Sequence, residues 1–273
     1  MRESDGRIVR APSMRPTRLV AAASAVAAIL GAATAHAALP DEIQVYTSDI
    51  NKPGEFGLEL HVNTTPSGRS TPDFPGEIAP AHGWRLTPEF SYGVSPSLEA
   101  GLYLPLVFGA DDRNKFAGPK IRAKWMPVRV DEQGNGAFAG VNFEYAWVSS
   151  VLEEATRAME VRPILGWRDP DWLFAVNPIL EFAFAGPEKG SRPDFNPSVK
   201  VARRIVEGVS IGPEYYMELG KVGRALAHDE QSHSLYLAID VDRAPWVFNF
   251  GIGRGLTSAA DRWTVKAIFE IPL

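Results

Sequence analysis

From Glu55 to the end of the chain, side chains alternate between apolar and polar in runs of about ten residues, separated by turn chemistry. Successive side chains of a strand point to opposite faces, so each run has one apolar and one polar side. The run from Glu55 to Asn63 sets the type, with Phe56, Leu58, Leu60 and Val62 on one face and Glu55, Glu59, His61 and Asn63 on the other. Trp84 to Val94 repeats it, as do residues 98–106, 119–127, 139–148, 159–168, 172–184, 195–205, 209–219, 234–241, 246–253 and 263–273. Ten residues is the length a tilted membrane-spanning strand requires, and about twelve strands is an even number, as single-chain barrels have.

The connections alternate as well. Short turns occupy residues 95–97, 169–171, 207–208 and 242–244, with the Asp, Gly and Pro chemistry that reverses a chain. Longer polar segments occupy 65–83, 109–118, 149–156, 185–194, 220–232 and 254–261, and the intermediate 129–136 counts with the short ones. The pattern predicts an all-β protein: an antiparallel up-and-down transmembrane β-barrel of about 12 strands over residues 54–273, with both termini on the periplasmic side. No second domain is expected.

The N-terminus reads as a separate element. Leu19 to Ala33 is an almost unbroken apolar run, preceded by Arg15 and Arg18 and followed by Ala35, His36 and Ala37. A positive flank, a short apolar core and small residues before the cut make residues 1–37 a secretory signal peptide. Met14 gives better signal-peptide proportions than Met1, which sets residues 1–13 outside the expected precursor. Residues 38–53 are expected to be a periplasmic N-terminal segment. The chain has no cysteine, so an exported protein of this kind must close its structure without disulfides, and a hydrogen-bonded ring does so. A net charge of −5 gives no reason to expect nucleic acid. No later run reaches the length of a transmembrane helix.

Alternation alone does not distinguish a lipid-facing surface from the core of a β-sandwich. The tryptophans do. Trp84, Trp125, Trp147, Trp167, Trp172, Trp246 and Trp263 all fall on the apolar parity near strand ends. In up-and-down order Trp84, Trp147 and Trp263 belong to the loop end and the other four to the turn end. Two belts of Trp suit two membrane interfaces, where the ring is buried and its N–H stays wet. A charge on this face at the bilayer midplane would cost about 2–4 kcal/mol for Lys or Arg, and the strand middles carry none. Pro88, Pro105, Pro127, Pro163, Pro178, Pro197 and Pro213 run against the reading, because every strand of a closed ring has two partners.

The last strand, Trp263 to Leu273, is apolar on one parity and closes on a hydrophobic residue. It resembles the C-terminal insertion signal of bacterial outer-membrane β-barrel proteins, which usually end in Phe. The resemblance extends to the proteobacterial outer-membrane proteins grouped loosely as transporters. It implies outer-membrane lipid and the barrel-insertion machinery, met through Trp263 to Leu273, as partners. It carries no binding residue.

The inward parity is unusually charged. Glu59, Arg85, Glu89, Glu99, Lys120, Arg122, Lys124, Glu144, Arg162, Glu181, Lys200, Glu214 and Lys266 are the expected lumen-lining residues. Lys120, Arg122 and Lys124 are expected near Glu99 and Glu144, Lys200 near Glu181 and Glu214, and Lys266 near Glu55 and Glu59. Such residues either neutralise one another as ion pairs or line a pathway that selects small solutes. Three function classes follow: a narrow polar channel or transporter, a structural or adhesive barrel with a closed lumen, and a lipid-modifying enzyme. No serine has an evident base and orienting partner, so catalysis is not expected. His228 and His233 flank carboxylates in a polar loop, and no metal or cofactor is expected there. The loop at residues 65–82 is either a surface contact segment or a lid folded into the lumen.

Overall fold

A computed structural model describes residues 40–271 and, within them, all side chains used below; that of Trp246 is outside the described set. The expected signal peptide, Met14, and Pro272 and Leu273 at the end of the insertion signal also lie outside the described residues. Twelve antiparallel strands close into a ring. They are β1 (Phe56–Ser67), β2 (Trp84–Ser95), β3 (Leu98–Tyr103 and Leu106–Phe108), β4 (Asn114–Phe116 and Lys120–Val128), β5 (Gly136–Trp147) and β6 (Arg157–Arg168). The other half comprises β7 (Trp172–Asn177 and Leu180–Ala183), β8 (Asp194–Phe195 and Ser198–Val206), β9 (Val209–Glu218), β10 (Ser232–Arg243), β11 (Trp246–Gly255) and β12 (Trp263–Ile271). Each strand pairs with the next, and β12 closes on β1 with Leu58 facing Ile271 and Thr64 facing Val265.

The alternation seen in the sequence becomes an outside and an inside. Phe56, Phe90, Ile121, Phe143, Leu165, Phe174, Leu237, Ile252 and Phe269 are exposed on the outer wall. Trp84, Trp125, Trp147, Trp167, Trp172 and Trp263 are exposed there too. A water-soluble sandwich would bury this face, so the outer wall needs another solvent, and hydrocarbon is the one it fits. Two of the rings carry a cation on the neighbouring strand: Arg203 lies 5.4 Å from the centroid of Trp172, and Arg254 lies 5.2 Å from that of Trp263.

The prolines sit where the ladder is interrupted. In a strand, a residue's N–H and C=O point to the same neighbour. Pro88 O accepts from Leu104 N at 3.0 Å, so its missing donor faces β3 at the break between Tyr103 and Leu106 that Pro105 makes. Pro163 lies opposite the break at Pro178, between the pairs Val161 with Leu180 and Leu165 with Val176. Pro213 faces an unpaired step of β8, between Lys200 with Glu214 and Arg203 with Ile211. Pro127 accompanies the register shift between Trp125 and Val128, and Pro197 the break in β8. Each lies at or opposite an interruption of the ladder, where a missing donor costs the ring little.

Candidate functional site

The inside of the ring is filled, and part of the filling comes from before β1. Of the segment at residues 38–53, expected on the periplasmic side, residues 41–51 pack against the inner walls of the barrel. The physical reason is that this short stretch carries partners for the wall at almost every residue. Asp41, Ile43, Val45, Tyr46, Thr47 and Ser48 are all buried. The segment begins toward the loop end, where Asn63 Nδ2 donates to the backbone oxygens of Pro40 and Asp41, both at 3.1 Å. Its middle is clasped by Asn177, which accepts from Tyr46 N at 2.6 Å and donates to Tyr46 O at 3.1 Å. It leaves at the turn end beside Gly93, where an added Cβ would lie 2.0 Å from Lys52 O. A glycine is required there for the two backbones to approach so closely. Thus the start of β1 and the end of β12 lie at one end of the ring, and the chain ahead of β1 runs back toward the other.

Around this segment the walls hold buried charges, which must be paired to be tolerated. Arg122 Nη2 reaches Glu99 at 2.7 Å and also contacts Glu89, to which its Nε donates at 2.6 Å. Glu89 also lies 3.0 Å from His61 Nε2. Lys200 lies 3.1 Å from Glu214 and 2.7 Å from Asp240, while Lys266 pairs with Glu214 and donates to Ile43 O at 3.0 Å. Lys120 bridges Asp41 at 2.8 Å, Glu153 at 2.9 Å and Glu144 at 3.6 Å. Arg162 pairs with Glu160 at 2.7 Å and with Glu42 at 3.3 Å.

Of the residues singled out from sequence, Arg85, Glu89, Glu99, Lys120, Arg122, Lys124, Glu144, Arg162, Lys200, Glu214 and Lys266 are buried on the inside, and Glu59 and Glu181 are half-buried. The expected partners hold for Arg122 with Glu99, Lys120 with Glu144 and Lys200 with Glu214. Others differ. Lys266 pairs with Glu214 rather than with Glu55 or Glu59, because the neighbouring strand carries Gly251, over which its stem lies. Glu181 meets Asn196 Nδ2 at 3.4 Å rather than Lys200. Arg85 donates to Ile78 O at 2.8 Å, not to an acid. Arg122 crosses β3 by the same device as Lys266, over Gly101, where a Cβ would lie 2.7 Å from its Cγ.

Sequence reasoning missed Asp41, Glu42, Tyr46, Asp49, Asn142, Asn177 and Arg168. The available signal was the alternation of Ile43 and Val45 with Glu42, Gln44 and Tyr46, which marks an extended chain with two dissimilar faces.

The loop after β1 folds inward, which favours the lid over the surface segment. Glu77 and Ile78 are fully buried, and Ile78 packs with Val107, Ala117, Ala146, Val148 and Leu152. Toward the opposite end Val45 and Tyr46 pack with Met126, Phe138, Ile164 and Ala175. Between these layers Lys120, Glu144, Glu153, Glu160 and Glu181 line a cavity of about 60 Å³. That is room for a few waters, against roughly 300 Å³ or more for a small-molecule site.

Two candidate chemistries find little support. Glu59, His61 and Glu89 bring ligand atoms within 4.8 Å of one another. Glu89 is already neutralised by Arg122, and His61 Nδ1 is buried with no acceptor of the kind that orients a metal-bound imidazole. His233 places its two ring nitrogens on Tyr215 Oη at 2.7 Å and Gln231 Oε1 at 2.9 Å, so neither is directed to a serine or to His228.

No protein-family model and no curated protein matches the sequence. Solved structures do. An outer membrane channel from Pseudomonas putida F1 superposes with a TM-score of 0.57 at 10% identity, over 84% of this chain and 99% of that one. A KdgM porin gives a TM-score of 0.50 at 10% identity, over 78% of this chain and 98% of the other. The same porin in complex with disordered oligogalacturonate gives 0.52 at 8% identity, over 80% and 99%. At such identities the likeness is one of fold, and the fold of this chain is that of the bacterial outer-membrane β-barrel channels.

Proposed function

We propose that the protein is an outer-membrane channel or transporter for small polar solutes, and that the arrangement described here is its closed state. The observation that carries this reading is the segment at residues 41–51, an extended chain lying along the inside of a charged ring. A barrel whose walls met across the lumen would leave no room for a peptide strand, whereas twelve strands enclose a space between the filled eight-stranded barrels and the open porins. The segment is held by side chains and by two hydrophobic clusters, not by a β-ladder, so its release leaves all twelve strand pairings intact. The outer face, exposed and apolar with tryptophans near both rims, suits outer-membrane lipid.

Planar-bilayer recording tests this. The full-length chain is expected to be largely silent, and removal of residues 41–51 to produce discrete conductance steps. A deletion protein that inserts, stays folded by its heat-modifiable mobility, and remains silent would overturn the reading.

A second reading, a structural barrel closed by its ion pairs, is favoured by the cluster around Glu214, which joins β8, β9, β10 and β12 directly. In that case the deletion changes stability and nothing else.

A further inference from the structure

Three inner-face residues stand abreast: Lys124 of β4 faces Asn142 of β5, which in turn faces Arg162 of β6. The Tyr46 ring lies over this row, its centroid 4.2 Å from the Arg162 guanidinium carbon, 4.9 Å from Lys124 Nζ and 6.0 Å from the guanidinium carbon of Arg122. Hydrogen bonding beneath the ring is incomplete. Asn142 is fully buried, yet neither its Nδ2 nor its Oδ1 has a partner. Arg122 Nη1 is buried and unpartnered as well. Lys124 donates to Asp49 O at 2.6 Å and, among the described residues, makes no ion pair with a carboxylate.

Most of the nearby acids are committed elsewhere; Glu59, half-buried, lies 3.9 Å from His61 Nε2. Glu89 and Glu99 hold the Nε and Nη2 side of Arg122, and Glu160 and Glu42 hold Arg162. A cluster of buried donors with a neutral ring where an acceptor belongs is an incomplete site, since buried polar groups are otherwise almost always satisfied. An oxyanion is a stronger partner for such cations than a ring face.

We propose that Lys124, Asn142 and Arg122 form a binding site for the carboxylate of a small anionic solute, and that Tyr46 occupies its place while residues 41–51 are docked. The inference rests on the lumen being a solute pathway and names the class of solute it would take.

The test uses the full chain carrying Tyr46→Ala, which removes the cover and leaves the donors. Under a tenfold KCl gradient its reversal potential is expected to show at least a threefold preference for anions. Adding Lys124→Gln should bring the preference close to unity, and adding Lys115→Gln, an exposed lysine on the same strand, should leave it unchanged. Cation preference, or indifference to Lys124→Gln, would overturn the site while leaving the channel standing. Independently of conductance, 20 mM sodium succinate should raise the unfolding temperature of the Tyr46→Ala protein by several degrees over 20 mM NaCl, and that of the unaltered protein should not move. A silent protein that succinate still stabilises retains the site with residues 41–51 still docked; one that succinate does not stabilise loses the site. Asn142→Asp in the otherwise unaltered chain, which supplies the missing carboxylate internally, should raise the unfolding temperature, and a fall would count against the proposal.

Discussion

Two charged regions of the lumen invite comparison, because they are built from the same residue types and differ in who supplies the partners. Around Glu214 the ring is self-sufficient: Lys200, Lys266, Asp240 and Tyr216 all belong to strands, and only Ile43 O comes from the segment. Around Tyr46 the wall depends on residues 41–51. Lys124 and Arg168 meet Asp49, Arg162 meets Glu42 and Gln44 O, and Asn177 holds the Tyr46 backbone. The first region braces the barrel from its own strands, and the second draws part of its partners from a neighbouring piece of chain. Charge in a lumen is therefore not one device but two.

Substitutions can separate them. The largest effect is expected at Glu214→Gln, which leaves buried Lys266 without a carboxylate and Lys200 with Asp240 alone; breaking a buried pair in this way costs about 3–5 kcal/mol. Urea unfolding of the detergent-solubilised protein should show it as a clear fall in midpoint, with bilayer conductance still largely absent. If Glu214→Gln instead opened the channel without loss of stability, the division between brace and plug would be wrong.

Asn177→Ala comes next. It removes both bonds to Tyr46 and should weaken docking of the segment by about 1–3 kcal/mol. Since about 1.4 kcal/mol is tenfold in a population, openings in the bilayer should become roughly ten to a hundredfold more frequent. Unfolding of the barrel should shift much less than for Glu214→Gln, and equal shifts would merge the two regions into one.

The smallest effect belongs to the outer wall. Trp147 lies 4.3 Å from Tyr145 between ring centroids, and such pairs contribute about 0.5–1.5 kcal/mol. Trp147→Leu should lower stability by that amount and leave conductance alone. A change in gating would show that the exterior communicates with the lumen.

Much of the fold was legible because a closed ring repeats one simple rule, and each of the twelve expected segments contains a strand. Period-two alternation reports which wall a residue belongs to, so Lys120, Arg122, Lys124 and Glu144 could be assigned to the inside from parity alone. Which acid each cation meets was less legible. Parity gives the face and not the reach, and a lysine or arginine laid over a glycine passes its immediate neighbour, as Lys266 does over Gly251 and Arg122 over Gly101. The prolines looked adverse because a sequence shows where a donor is missing and not where the opposite acceptor is missing too. Residues 41–51 were hardest to place. Nothing in a short polar stretch ahead of the first strand says that it turns back into the barrel, since that depends on Asn63, Asn177 and Arg162 acting together from three separate strands.

The bend that joins this segment to the barrel is short: Glu55 N donates to Lys52 O at 3.0 Å, and Gly54 carries a φ of 84°. The segment bearing Asp41, Glu42 and Asp49 joins β1 through this bend, so an applied voltage of one polarity should draw its negative charges outward past the hinge and the other press them home. If the barrel conducts as proposed, its current should consequently rectify, and the favoured polarity would report which mouth the hinge guards.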